Sequence, residues 1–390
     1  MRPSLTILSP LALHPALSGG AAHIQRTALQ LARYYEVSIY TITPEPAGAA
    51  WGPLSERCRE LRAFRRGPVA GSWLDPPAAR MERSAELERH LRSAWRRDPP
   101  DIVQIEFTTL AHYAPLARAA GALAVCTAHN LAFLAQLRRA RRERSPLLRA
   151  RRMLGALSMW RYELRTLRAC DLVITLSEGD ASALRRWAPG LPVACVPPGI
   201  ELDPVARNPV DGLVLFVGGY LHPPNVEGAI WLAREVWPLV RAARPGALLV
   251  LAGRDPPPQV RALAGHDIEV PGTLPDLAPL YERASVAAAA VFWGGGVRIK
   301  ILDALAAGIP VVSTAAAADG LPLVHGESAL LAETPEEFAR ALVLLLNDGR
   351  LRARIGAAGR AIVARSHAAE RSGRLLAGLY EGARAGLTRR

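Results

Sequence analysis

The segment SVAAAAVFWGGGVRIKILDALAAGIPVVST, residues 285–314, decides how this chain is interpreted. It begins with small apolar residues typical of a buried strand, continues into three consecutive glycines at 294–296, and then has the spacing of a helix that stops at Gly308. Consecutive glycines let the backbone approach a ligand closely, and a helix N-terminus offers unpaired N–H groups and a positive dipole end. The pattern therefore predicts a phosphate-binding loop and helix start over residues 293–303.

Two basic residues, Arg298 and Lys300, follow the glycines on the predicted first helical turn. Positive charge is unfavourable at a helix N-terminus unless an anion offsets it, so this placement indicates a binding role. Lys300 is the only lysine among the 48 basic residues, which suggests that a compact point charge is required there. We predict that both residues face an anionic ligand such as a nucleotide diphosphate. Asp303, one turn later, either accepts hydrogen bonds from ribose hydroxyls or pairs with Lys300.

The whole chain has the composition of a globular protein. Half of its 390 residues are hydrophobic and 21% are charged, which suits two domains of ordinary size. The formal net charge of +13 favours anionic partners, and no apolar run approaches the ~20 residues of a membrane-spanning helix. The apolar stretch after Arg2 is interrupted by Pro10 and His14, so we favour a first buried strand over a signal peptide. The four cysteines form no CxxC pair, and a cytoplasmic location is expected.

Short apolar runs alternate with helical patterns along the chain, which is typical of parallel sheets with helical crossovers. We therefore predict the α/β fold class with two doubly wound domains. The Pro-rich stretch 197–209 separates them, and ligands are expected in the cleft at the carboxyl ends of both sheets. The strands are predicted at Leu5–Leu8, Val37–Ile42, Ile102–Ile105, Ala122–Cys126, Leu172–Leu176, Val193–Val196, Leu213–Val217, Leu248–Ala252, Ile268–Val270, Ser285–Phe292, Pro310–Ser313 and Ala329–Leu331.

The segment 294–314 resembles the donor-site signature of the family 4 (group 1) glycosyltransferases of the GT-B fold, in a glycine-rich Arg-x-Lys branch. The resemblance implies two facing Rossmann-like domains with a cleft between them. Residues 1–200 would form the acceptor side, residues 201–368 would bind the nucleotide sugar, and residues 369–390 would form a C-terminal helix that packs back on the N-terminal domain. The resemblance to the family extends through six further segments: Ser18–Ala21, His129-Asn130, Asp171–Asp180, Phe216–Gly219, Ala252–Arg254 and Gly272–Tyr281.

Members of this family transfer a sugar from a nucleoside-diphosphate donor with retention of configuration, usually without a metal. The resemblance therefore implies a retaining hexosyltransferase that needs no cofactor and acts on a glycan, lipid-linked or small-molecule acceptor. Its catalytic candidates are Lys300, Arg298 and His129, and Glu106, which also follows a strand, is an acceptor-side candidate. The donor-binding candidates are Gly19, Gly20, Gly218, Gly219, Arg254, Thr273, Leu274, Gly294, Gly295, Gly296, Val297 and Asp303.

Several of these assignments have structural alternatives. Arg254 could instead pair with Asp255, and Gly272–Leu274 could be a plain turn, with Asp276 capping the next helix. The family's acidic contact to the donor sugar is replaced by Gly295. The loop Gly218–Asn225 also lacks the Arg and Lys that many members carry there, so Arg298 and Lys300 would have to neutralise the diphosphate without its help.

The Arg-rich stretch 138–152 has two interpretations of similar weight. It is either a solvated helical face or a patch for an anionic membrane surface or a lipid-diphosphate acceptor, which would place the protein at the cytoplasmic face of a membrane. No nucleic-acid motif accompanies the charge, and a nucleic-acid partner is not expected. Two other functions remain as alternatives: a dinucleotide-dependent oxidoreductase, for which a convincing GxGxxG is missing, and a non-catalytic sugar-nucleotide binder.

Overall fold

The structure is a computed structural model that describes residues 2–67, 75–202 and 207–387. Seven parallel strands build the first sheet, in the order β3-β2-β1-β4-β5-β6-β7. Six parallel strands build the second sheet, in the order β10-β9-β8-β11-β12-β13. The bounds are β1 Ser4–Ser9, β2 Glu36–Thr43, β3 Glu60–Arg65, β4 Ile102–Glu106, β5 Leu123–Ala128, β6 Leu172–Thr175, β7 Val193–Cys195, β8 Leu213–Val217, β9 Leu248–Ala252, β10 Ile268–Glu269, β11 Val286–Ala289, β12 Val311–Ser313 and β13 Leu330–Leu331.

Helices connect the strands and cover both faces of each sheet, so the predicted α/β fold with two doubly wound domains is confirmed. None of the helices among the described residues is both long enough and apolar enough to cross a membrane. The bounds are α1 Gly19–Leu31, α2 Pro77–Met81, α3 Ala85–Arg97, α4 Ala114–Ala119, α5 Ala132–Arg142, α6 Pro146–Leu167, α7 Glu178–Trp187, α8 Pro223–Trp231, α9 Trp237–Ala243, α10 Pro258–Arg261, α11 Ala278–Arg283, α12 Ile299–Ala306, α13 Ala315–Ala318, α14 Pro335–Asn347, α15 Gly349–Ser366 and α16 Ala369–Leu387.

Every strand named from the sequence is present, within one or two residues for most of them, and one further strand occurs. The additional strand, β3, lies at the edge of the first sheet and pairs only with β2. Its sequence ELRAFR buries little besides Phe64, so it lacks the apolar run that identifies the central strands. In the second domain, the pattern Thr334-Pro335-Glu336-Glu337 predicts a capping box, and Thr334 and Glu337 form it at the start of α14.

The C-terminal helix α16 packs on α1 and completes the core on one face of the first sheet. Tyr380 is fully buried there, and its hydroxyl donates a hydrogen bond to Gln104 Oε1 on β4 at 2.7 Å. The Tyr35 hydroxyl donates to the Ala377 carbonyl at 3.2 Å. The last helix of the chain is thus part of the N-terminal domain.

Two segments cross between the domains, and they run side by side. The Ile200 N–H donates to the His367 carbonyl at 2.7 Å, and the Ala369 N–H donates to the Ile200 carbonyl at 3.0 Å. The Ser372 hydroxyl adds a bond to the Pro197 carbonyl at 2.8 Å. Residues 203–206 of the proposed linker 197–209 lie outside the described residues.

Candidate active site

A cleft of about 710 Å³ lies between the two domains, at the carboxyl ends of both sheets. This is the position at which ligands bind in open α/β sheets. Both domains line it, so a bound ligand would contact both. Thirteen of the candidates named above line the cleft: Gly19, Gly20, His129, Gly218, Gly219, Arg254, Leu274, Gly295, Gly296, Val297, Arg298, Lys300 and Asp303. Gly294, Thr273 and Glu106 do not.

The glycine loop needs glycine at two of its three positions. Gly294 has a φ of +129°, and a Cβ there would lie 2.8 Å from Arg298 Nη2. Gly296 has a φ of +75°, and its Cβ would lie 2.6 Å from the His129 carbonyl oxygen of the opposite domain. A Cβ on Gly295 would make only ordinary contact with Asn130, at 3.5 Å. The absence of an acidic side chain at Gly295 is therefore not forced by backbone conformation or by space at Cβ.

Arg298 folds back onto the glycine loop. Its Nη1 donates to the Gly295 carbonyl at 2.7 Å, and its Nη2 donates to the Trp293 carbonyl at 3.4 Å. Burial lowers the pKa of Arg298. Because the guanidinium satisfies loop carbonyls, it holds the loop in shape and presents less free charge to the cleft than the sequence suggests.

Lys300 is a half-buried cation with a neutral partner. Its Nζ donates to Asn225 Oδ1 at 2.7 Å and lies 4.7 Å from the centre of the Phe216 ring. Burial, and secondly the nearby Arg298, lower the pKa of Lys300 to about 7. Asn225 is fixed in turn by donating to the Gly219 carbonyl at 2.8 Å. The uncharged loop Gly218–Asn225 thus supplies the Asn225 side-chain amide, which orients Lys300. In the sequence, the pair Pro224-Asn225 indicates this arrangement.

Asp303 pairs with a residue that the sequence did not single out. Its Oδ1 lies 2.9 Å from Nη2 of Arg26, which is on α1 of the N-terminal domain. The alternative of an ion pair with Lys300 is therefore wrong, while the ribose role stays a prediction. Burial raises the pKa of Asp303, and Arg26 opposes that rise.

His129 and Glu106 form one buried unit. His129 Nε2 lies 2.6 Å from Glu106 Oε2, and the imidazole stacks on Phe107 with ring centres 3.9 Å apart. Gln104 Nε2 donates to the other oxygen of Glu106. The Glu106 carboxylate is fully buried behind the imidazole, so the prediction that it faces the acceptor needs correction: Glu106 holds His129, and His129 reaches the cleft.

The remaining donor-side candidates divide between ligand-facing and structural positions. Arg254 lines the cleft and its Nε donates to Asp255 Oδ2 at 2.8 Å, which is the pairing named as an alternative. The Thr273 hydroxyl accepts from the Asp255 N–H at 3.0 Å and so holds this turn rather than facing the cleft. Asp276 accepts from the Ala278 N–H at 2.9 Å and so binds the first residue of α11, whose N-cap position is Leu277.

The first part of the Arg-rich stretch contacts the glycine loop. Arg138 Nη1 donates to the Gly294 carbonyl at 2.8 Å, Arg142 donates to the Phe292 carbonyl at 3.3 Å, and Arg139 lies over the Trp293 ring. Helix α5 of the N-terminal domain thus supports the loop from across the cleft. The stretch is therefore not a uniformly solvated face, although its second part, on α6, is exposed.

Two facing Rossmann-like domains with a basic, glycine-lined cleft between them define the GT-B class of glycosyltransferases. Residues 17–204 match the family model "Glycosyltransferase Family 4", and residues 211–348 match "Glycosyl transferases group 1". The chain belongs to this family, the group 1 and family 4 glycosyltransferases. The predicted family membership is thereby confirmed.

Solved structures share the fold at low sequence identity. Sucrose-phosphate synthase from Thermosynechococcus elongatus has a TM-score of 0.74 and 19% identity, with 98% of this chain and 100% of that chain covered. Anabaena HepE in complex with UDP and glucose has a TM-score of 0.72 and 14% identity, covering 97% and 100%. WaaG, a glycosyltransferase involved in lipopolysaccharide biosynthesis, has a TM-score of 0.64 and 16% identity, also covering 97% and 100%.

A curated relative matches part of the sequence. It is an uncharacterised 44.6 kDa protein in the cps region of Klebsiella pneumoniae, 29% identical over 139 residues. The match covers 33% of this chain and 36% of the relative, so it spans about a third of either length.

Proposed function

We propose that this protein is a retaining glycosyltransferase that moves a sugar from a nucleoside-diphosphate sugar to an acceptor, without a metal or cofactor. The observation that carries the proposal is Lys300. Lys300 is a half-buried cation on the first turn of α12, beside a glycine loop and with only a neutral hydrogen-bond partner, an arrangement that favours an anion next to it. A diphosphate in the cleft would supply that anion.

In the proposed reaction, the bond between the anomeric carbon and the β-phosphate oxygen breaks, and the acceptor oxygen bonds to the anomeric carbon from the same face. The acceptor proton passes to the leaving diphosphate, so no side-chain base is required. Lys300 and the N–H groups at the start of α12 stabilise the charge that develops on the leaving group, which is worth several kcal/mol at a preorganised site (~3 kcal/mol for one donor).

His129 is proposed to contact the donor sugar. Glu106 occupies its Nε2, so Nδ1 is the ring nitrogen left for a hydroxyl group in the cleft. A carboxylate behind an imidazole fixes its tautomer and ring orientation, as in other histidine sites. Glu106 is thus a positioning residue in this scheme.

The donor is tested by thermal shift and by turnover. UDP and UDP-glucose come first, because HepE was solved with both, followed by other nucleoside diphosphates and their sugars. We expect at least one to stabilise the protein and to be consumed with a suitable acceptor, and Lys300→Ala to lose both effects. Arg340→Ala, on the exposed side of α14, is the control.

Three outcomes would contradict the proposal. Stabilisation by NAD instead of any nucleoside diphosphate would favour an oxidoreductase. Ordinary donor binding without turnover under any acceptor would favour a non-catalytic binder. If no nucleotide stabilised the protein at millimolar concentration, the proposed donor site would be wrong.

We further propose that the acceptor is lipid-linked and is met at an anionic membrane surface. The observation is an exposed apolar stripe on α6, where Leu147 is 80%, Leu154 69% and Leu157 53% exposed. Arg149 and Arg151 flank this stripe and are exposed. Leucines that enter the headgroup region beside arginines that attract anionic lipids are typical of helices lying in a membrane interface. The preceding helix α5 supports the glycine loop, so such docking would place the cleft near the bilayer.

Vesicle binding tests the acceptor surface. We expect binding to phosphatidylglycerol vesicles, weakened by salt, and little binding to phosphatidylcholine vesicles. Leu154→Ser combined with Leu157→Ser should weaken binding on the order of 10-fold or more, because each leucine contributes roughly 1–2 kcal/mol on burial. The control pair, Leu344→Ser with Leu375→Ser, removes two exposed leucines elsewhere. The proposed membrane surface would be wrong if both pairs of substitutions weakened vesicle binding equally, or if the wild type did not bind the vesicles.

A further inference from the structure

The floor of the cleft contains an ion pair that joins the two domains. Arg26 of α1 and Asp303 of α12 meet with Nη2 and Oδ1 2.9 Å apart, and both side chains are only about a quarter or less exposed, at 24% and 20%. Both residues line the cleft. The helices themselves touch here, because a Cβ on Gly19 would lie 3.2 Å from Ile299. The pair thus lies where a ligand would touch both domains at once.

Arg26 has hydrogen-bonding capacity that the protein leaves unused. Its Nη1 is buried and makes no hydrogen bond within the described part of the chain, although buried polar groups are nearly always paired. His23, one turn earlier on α1, also lines the cleft and has a buried Nδ1 in the same condition. Two unsatisfied donors or acceptors on one face of α1, both next to the cleft, indicate that a ligand completes them.

The distribution of charge in the cleft also indicates that Arg26 contacts a ligand. Arg298 is engaged by its own loop carbonyls, and Lys300 is bound to Asn225. The loop Gly218–Asn225 supplies no cation. Arg26 is therefore the arginine of the N-terminal domain that brings positive charge to the Asp303 side of the cleft.

In the proposed function, Asp303 has the ribose-binding role that the family resemblance implies. We propose that Arg26 is a further specificity-determining residue for the same ribose, with its Nη1 donating a hydrogen bond to a ribose oxygen, so that the two residues form a clamp. This inference rests on the proposed function and adds a specificity-determining residue to it. The ion pair uses only Oδ1 of Asp303, so Oδ2 is available to a hydroxyl group. Arg26 also favours the ionised carboxylate, which is the better acceptor.

If the clamp binds the ribose, affinity should depend on the ribose hydroxyl groups of the ligand. For the nucleoside diphosphate that stabilises the wild type, we would measure dissociation constants of the ribonucleotide and of its 2′-deoxy and 3′-deoxy analogues. Arg26→Ala should weaken the ribonucleotide about 10- to 100-fold, as expected for hydrogen bonds that involve a charged group. It should weaken at least one deoxy analogue far less, because that ligand already lacks the hydroxyl that the clamp binds.

Two further variants keep the test decisive. Asp303→Asn preserves shape and should show the same loss of discrimination between ribose and deoxyribose, even if Arg26→Ala folds poorly. Arg33→Ala is the matched control, because it removes an exposed ion pair with Glu370 just beyond the other end of α1 and should change no dissociation constant.

The outcomes separate the clamp from the proposed function. If the wild type binds a nucleoside diphosphate but both cleft variants weaken ribo- and deoxyribonucleotides equally, or not at all, the clamp is wrong and the donor site stands. If no nucleoside diphosphate binds the wild type, the proposed function fails and the clamp fails with it.

Discussion

At the scale of single residues, the most informative group is a cation in an unfavourable place. The protein keeps its only lysine half-buried over an aromatic ring, with one amide as its partner. The pKa of Lys300 falls to about 7 because burial disfavours its charged form. Its charge therefore becomes conditional on a neighbouring anion, which a surface lysine would not require.

This pKa predicts how donor affinity depends on pH. An anionic ligand binds the protonated form of Lys300 better, so affinity should be constant well below pH 7 and should fall as pH rises above about 7. The limiting slope is about tenfold per pH unit. A nucleotide sugar is the right probe, because its diphosphate carries no proton that titrates in this range. Calorimetry at several pH values between 6 and 9 would measure the effect.

Lys300→Met provides the comparison for that profile. The variant should bind the nucleotide sugar weakly, with an affinity that no longer declines above pH 7. If the affinity of the wild type depended on pH as little as that of the variant, Lys300 would stay charged throughout this range. The proposal that its charge depends on a neighbouring anion would then be wrong.

The site also shows which residues can be recognised from the sequence alone. Lys300 stands out by composition, and the glycines at 294 and 296 stand out because local backbone geometry requires them. Arg26 cannot be distinguished from the other arginines, 47 in all, by sequence. Its role depends on the carboxylate of Asp303, 277 positions later, which only folding brings close. The sequence identifies Glu106 as an acceptor-side candidate at a strand end, but the structure places its carboxylate behind His129 and away from the cleft. A strand end does not reveal which of two neighbouring side chains faces the cleft.

At the scale of elements, α5 links the two halves of the site, and a buried carboxylate holds its first turn. Glu163 on α6 accepts from the N–H groups of Ala132 and Phe133, at 3.0 and 2.8 Å, and from the Thr108 hydroxyl. Burial raises its pKa to about 7. The start of a helix needs acceptors for its free N–H groups, and here a different helix supplies them.

Removing this contact should be costly. Glu163→Ala leaves two N–H groups and a hydroxyl without their acceptor, and we expect a loss of roughly 2–4 kcal/mol in the free energy of unfolding. Donor turnover should fall as well, because α5 also holds the glycine loop through Arg138. Denaturant unfolding measures the first effect. Glu370→Ala, which breaks an exposed ion pair, should cost about 0.5 kcal/mol or less; a similar loss in both variants would refute the special role of Glu163.

Prediction from sequence also succeeds unevenly at this scale. The central strands are readable because both of their faces are buried and their residues are almost all apolar. The sequence pattern does not predict the edge strand β3, because three of its six residues are charged. The amphipathic pattern predicts a helix over Ala21–Tyr34, whereas α1 begins two residues earlier, at Gly19, and ends at Leu31. It begins earlier because the Ser18 hydroxyl accepts from the Ala21 N–H and caps it.

At the scale of the whole molecule, the chain enters the second domain after Ile200 and leaves it at His367, and these two points are hydrogen-bonded neighbours. The described residues after His367 return to the first domain, where Tyr380 fills its core. The first domain is therefore continuous in space although it is discontinuous in sequence.

In terms of chain connectivity, the second domain is an insertion into the first. Excising it and joining residue 200 to residue 368 through a short glycine-serine linker should leave an autonomous folding unit with a single cooperative thermal transition by circular dichroism. The same chain ended at residue 200 should not fold cooperatively, because Tyr35 and Gln104 would lose their partners on α16. If the joined chain were as disordered as the truncated one, the first domain would depend on its insert. If it folds, acceptor binding can be studied on a unit that lacks Lys300, Asp303 and the glycine loop.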